Sequence, residues 1–216
     1  MGAIARAAAN NITTSGVFTS SAIANSSVTG ITVLANASDG ITLISSQTAS
    51  NSASISFTSG LTSTYKAYKF VFVNMHPIVT EDLLMTNFST DGGSNYNVTK
   101  TNTFFYAYHD EADTGTQFQY DTGADVAQST DFFRLSRDTG AGNDESCSGS
   151  MILFNPSSTT YVKHFISNVN SYKDNDATIQ SFVAGYGNTT SAINAIQFKF
   201  SYGNIDTGTI ALYGIK

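Results

Sequence analysis

Apolar and polar residues alternate at period 2 through most of the chain, which is the spacing of strands that bury one face. Tyr68–Asn74 reads as a central strand, apolar on both faces at its middle. Leu83–Phe88 and Thr103–His109 follow it. The last third is regular: Ser150–Phe154 stops at Asn155-Pro156, Tyr161–Val169 alternates, and Thr178–Tyr186 is closed by Gly187-Asn188. Ala195–Tyr202 sets Ile196, Phe198, Phe200 and Tyr202 on one face, and Thr209–Tyr213 ends the pattern with Ile210 and Leu212. Between strands, Asp91-Gly92-Gly93 offers the positive φ angles of a hairpin turn. Eight or so short strands without a convincing helix predict an all-β fold, an antiparallel two-sheet jelly-roll sandwich over residues 52–216. The acidic, Gly-rich stretch 110–146 reads as a long loop in which only Phe132–Leu135 looks structured.

Residues 1–51 differ in character. Ala-rich residues 2–9 predict two helical turns, with Ala3, Ile4, Ala7 and Ala8 forming a small apolar docking face. Beyond them, Ser15-Gly16-Val17, Thr29-Gly30-Ile31 and Asp39-Gly40-Ile41 repeat a glycine followed by a β-branched residue. Strands with one or two apolar side chains each cannot form a core alone. They predict an extended, intertwined trimeric shaft pooling Val17, Ile31, Val33, Ile41 and Leu43 around one axis.

Composition sharpens this picture. Of 216 residues only 12% are charged, while 41% are hydrophobic and 12% aromatic. Ser, Thr, Asn and Gly therefore supply the polar surface. A net charge of −6 argues against nucleic acid as a partner, and no stretch has the ~20 apolar residues of a membrane span. Cys147 is alone, which rules out an intrachain disulfide or a cysteine zinc site. The opening residues lack the apolar core of a secretory signal. A polar surface without an export signal suits assembly in the cytoplasm and release by lysis.

Several phrases carry a family likeness. Ser54–Phe57, Tyr65–Pro77, Phe88–Gly93 and the ending Phe198–Lys216 resemble the C-terminal domain of structural proteins of tailed bacteriophages, marine and cyanobacterial ones in particular. Asn11–Gly16 and Ala22–Gly30 resemble phage fibre shafts. The resemblance implies a virion structural protein, not an enzyme: a trimeric head or tail fibre, its N-terminus on the particle and its globular end outward. Its partners would be further copies of itself, other capsid or tail proteins and, at the tip, a host surface glycan. A capsid cement protein is the alternative, and an envelope-polysaccharide depolymerase a second one.

Candidate chemistry is sparse. Asp110, Glu111 and Asp113, like Asn143-Asp144-Glu145 and Asp174-Asn175-Asp176, offer oxygen ligands close enough together for calcium, at unspecific spacing, and no segment has the offsets of an EF-hand. Glycoside cleavage would need a carboxylate pair, drawn from Asp110, Glu111, Asp131 and Asp138. Cys147 with His164 is the nominal nucleophile–base pair, and His76, His109 and His164 lack metal spacing. For glycan stacking the candidates are Tyr106, Tyr108, Tyr186 and Tyr202, with Asn188 or Asp110 as polar partners.

Overall fold

The computed structural model describes residues 40–216. They form thirteen strands and no helix. In chain order these are β1 (Ile41–Ser52), β2 (Ile55–Phe57), β3 (Ala67–Pro77), β4 (Leu84–Ser89), β5 (Lys100–Asp110), β6 (Thr116–Tyr120) and β7 (Val126–Ser129). The remainder are β8 (Phe133–Arg134), β9 (Cys147–Phe154), β10 (Lys163–Lys173), β11 (Ala177–Gly187), β12 (Ala195–Phe200) and β13 (Ile205–Ile215). A wide sheet runs β1-β13-β3-β9-β10-β11-β5-β6, with β7 also on β5, and a second sheet runs β2-β12-β4-β8. Every pairing is antiparallel, and the two sheets share a core in the manner of a sandwich.

Alternation explains the layering. On β3, Tyr68, Phe70 and Phe72 are buried, while Lys69, Val71 and Val73 face outward. The strand thus has one core face, where its apolar middle predicted two. Ile196, Phe198 and Phe200 of β12 meet it from the other sheet. Phe198 lies 5.2 Å from both Phe70 and Phe72, and Phe57 packs edge-on to Phe70 at 5.5 Å. A second ring cluster, Phe88, Phe133 and Phe165, extends the core beneath β10 with centroids 4.7–5.7 Å apart. Each such ring buries ~150–250 Å², so these two clusters carry much of the apolar burial.

Several expectations are corrected. The sandwich begins at Ile41 rather than near Ser52, because β1 pairs with β13 from Ile41↔Ile215 to Ser52↔Ile205. The 110–146 stretch carries β6 and β7 where a loop was expected, while β8 falls within Phe132–Leu135, the part expected to be structured. Asp91-Gly92-Gly93 does turn, with φ of 75° and 91° at the glycines. It is no hairpin, since Ser89 pairs with Ala195 in the small sheet and β5 belongs to the wide one. Tyr202 lies beyond the end of β12, in a turn. Ala3, Ile4, Ala7, Ala8, Val17, Ile31 and Val33 lie outside the described residues.

The registers define two ends. Lys216 N–H donates to Gly40 O at 3.3 Å, so the chain enters the sandwich beside the last residue. At the opposite end lie the β1–β2, β3–β4, β8–β9 and β12–β13 connections, as the Ser52↔Ile205, Ile205↔Pro77 and Met75↔Cys147 pairs require.

Candidate functional site

The loop end is built on one carboxylate. Asp82 is completely buried. Its oxygens accept from the Ser201 amide (2.9 Å) and hydroxyl (2.5 Å) and from the Tyr202 and Gly203 amides (3.1 Å each). The Leu83 amide adds a fifth donor at 2.8 Å. A buried carboxylate without partners is costly, and here the turn's own amides satisfy it. Asp82 also exchanges backbone bonds with Thr139, at 3.0 and 2.8 Å, which fastens the β8–β9 loop to the same point. Asn204 donates to Asn51 through its side chain and completes the tie to β1.

This clamp presents an apolar tip. Ile78, Val79 and Tyr202 are exposed, Tyr202 to 74%. Gly203 lets the two aliphatic side chains lie against the turn, because a Cβ there would sit 2.7 Å from Ile78 Cγ1 and 2.9 Å from Val79 Cγ2. Two residues before the tip, His76 borders a polar cleft of about 430 Å³ lined also by Asn74, Asp144, Glu145, Asp206 and Thr207. His76 Nε2 is 3.0 Å from Gly142 O, and Nδ1 lies 3.2 Å from Asp206 Oδ2 without completing a hydrogen bond.

Acidity concentrates here. Glu81, Asp110, Glu111, Asp113, Asp144, Glu145, Asp174, Asp176 and Asp206 sit in the strand ends and loops of this end. Lys173 is ion-paired to Glu81 and Asp174. A surface of this kind disfavours anions and suits neutral hydroxyl-bearing or cationic groups.

The sequence candidates fall in separate places. Tyr106 and Tyr108 share the inward face of β5 with Phe104. Tyr106 is buried, its ring covered by the Arg137 guanidinium at 4.5 Å and its hydroxyl donated to Gln117. Tyr186 lies on the outward face of the wide sheet, 6.2 Å from the His164 ring, and Asn188 donates to Gln128 nearby. Only Tyr202 belongs to the loop tip. Ile41 and Leu43 face outward on β1.

The acidic candidates are locally engaged. Asp110 accepts from the Thr114 amide and hydroxyl at 2.8 Å each, and those bonds lower its pKa. Asp113 sits 3.1 Å from His109 Nε2. Among the described residues no three acidic, histidine or cysteine side chains converge as metal ligands. Asp131 neighbours Lys100 at the start of β5 and Asp110 ends that strand, which separates them by ~30 Å. Asp138 is paired with Arg137. Cys147 and His164 stand near opposite ends of the β9–β10 ladder, one buried and one exposed.

Three features escaped the sequence reading: the Asp82 clamp and the fully buried Lys100 and Lys163. Lys163 donates to Tyr161 O and Thr189 O at 3.0 Å, and Lys100 to Ser129 O and Asp131 O. Burial lowers both pKa values, that of Lys100 to about 8.

No protein-family model, curated protein or solved structure matches the chain. No helix among the described residues is long and apolar enough to cross a membrane.

Proposed function

We propose that this chain is a structural, non-enzymatic protein of a bacteriophage particle, a trimeric head- or tail-fibre appendage whose loop end contacts host surface glycans. The supporting observation is the position of its ends: the chain enters beside Lys216, and the clamped acidic loops lie at the far end of the strands. An N-terminal attachment would leave those loops facing outward.

The strand order supports the jelly-roll reading. Without the insertions β5–β7 and β10–β11, the sheets read β1-β13-β3-β9 and β2-β12-β4-β8. That order follows when eight strands fold as two Greek keys shared between two sheets. The loop end favours hydroxyl-rich ligands over anions, with Tyr202 as an exposed ring for stacking. A weak single contact becomes strong when many copies act together.

Light scattering on the full chain, with gold-labelled antibody on tailed particles from producing cells, tests this reading. A trimer and label on the particle surface are expected. A monomer with unlabelled particles would overturn it. Label lost only when capsids break would favour a cement role.

A further inference from the structure

Among the described residues nothing covers the outward face of the wide sheet, and that face carries many apolar side chains. Of the eleven exposed large hydrophobic side chains among the described residues, seven project from it: Ile41, Leu43, Val73, Phe118, Tyr120, Phe154 and Ile166. Five of them, Ile41, Leu43, Val73, Phe118 and Tyr120, lie at its two margins. On the β1–β13–β3 side, Leu43 stands opposite Tyr213, Ile41 opposite Ile215, and Val71 and Val73 follow on β3. On the β11–β5–β6 side, Phe105 stacks on Phe182 at 5.0 Å and 11°, and Phe118 meets Phe105 edge-on at 5.6 Å. Tyr120 stands opposite Phe105.

We infer that copies of this chain associate head to tail through this face, the β1–β13–β3 margin of one against the β11–β5–β6 margin of the next. This assignment rests on the trimeric reading, since a three-fold ring needs two different, complementary patches on each copy. A wide sheet supplies them: its strands rotate ~20–25° from one to the next, so its margins face different directions.

Size and charge select a second copy as the occupant. Counting aromatic side chains at ~150–250 Å² and aliphatic ones somewhat less, each margin exposes roughly 350 Å² of apolar surface. Joining the two covers about 700 Å², the apolar share of an interface near ~1,200 Å² in total. Away from the loop end, Lys69 is the one charged side chain facing out from the wide sheet's strands. A chain of net charge −6 meets its own copy with least repulsion through such a face.

Bis-maleimide crosslinking of the full chain tests the assignment. Leu43→Cys and Phe118→Cys alter exposed positions, and the native Cys147 is buried with its thiol pushed up to about 12, so it stays silent. Co-expression of the two single variants is expected to yield covalent dimers that neither variant yields alone. The double variant is expected to yield covalent trimers. Trimers by light scattering with no such crosslinks, or with equal crosslinking in a single variant alone, overturn the face assignment and leave the trimeric reading standing. A monomer by light scattering overturns both.

Discussion

Asp82 and Ser201, 119 positions apart in the chain, are joined twice, through the serine amide at 2.9 Å and its hydroxyl at 2.5 Å. The pair converts two long-range loops into one rigid unit. Because the same carboxylate also takes the Tyr202 and Gly203 amides, the direction of the β12–β13 turn depends on its remaining an all-acceptor group.

Asp82→Asn is therefore expected to destabilise the sandwich by roughly 2–4 kcal/mol, since the new amide would aim hydrogens at N–H donors and leave buried groups unpaired. Urea denaturation followed by far-ultraviolet dichroism measures the loss. A change below ~0.5 kcal/mol would mean that the loops hold themselves without the carboxylate.

Lys100 gives the fold a pH signature. Its pKa is about 8 in the folded chain and 10.5 when unfolded, chiefly because burial penalises the ammonium. Between those values the unfolded chain binds more protons, so raising the pH favours the folded one. Wild type is expected to gain roughly 2 kcal/mol relative to Lys100→Met from pH 8 to 10.5. The carbonyls freed in the variant shift both ends of that comparison equally. Parallel stability–pH curves would show that the lysine is effectively solvated.

Cys147 is expected to resist thiol reagents in the native protein and to react on unfolding. It is 1% exposed, its thiol pushed up to about 12 by burial, and the thiolate is the nucleophile. Labelling with a chromogenic disulfide across a urea series should therefore follow the unfolding curve. Rapid labelling without urea would place the thiol at the surface.

The parts of the fold legible in the sequence are those with one wet and one dry face. Phe165, Ser167, Val169 and Ser171 alternate with exposed residues along β10, and period 2 suffices to find that strand. Strand β6 escaped although Gln117-Phe118-Gln119-Tyr120 alternates at period 2, because it is short, set in an acidic, Gly-rich stretch, and exposed throughout as an edge strand. On β1 the exposed Ile41 and Leu43 mimic a strand awaiting partners, and only the pairing with β13 places it in the sheet. Thr103–His109 is legible as a strand, but the placing of Tyr106 and Tyr108 on the inner face with Phe104 is not, because which face is inner depends on contacts distant in sequence. The Asp82 clamp is likewise non-local: Ser201-Tyr202-Gly203 signals a turn, and nothing nearby names the carboxylate that holds it.

Tyr202 separates recognition from stability. Its ring is 74% exposed, and its amide, not its side chain, is what Asp82 holds. Tyr202→Ala should thus leave the turn intact and shift unfolding by no more than ~0.5 kcal/mol. If the loop tip stacks on sugars, the lost ring costs about 0.5–1.5 kcal/mol per site, a two- to tenfold weakening of one contact. Because a ring of copies multiplies that loss, retention of the full chain on immobilised host envelope polysaccharide should fall much further. The matching control is Tyr161→Ala, exposed to 71% in the β9–β10 connection at the end where the chain enters. Equal retention for Tyr202→Ala and wild type, with Tyr161→Ala weakened instead, would move the glycan contact to the opposite end of the sandwich and reverse the proposed orientation on the particle.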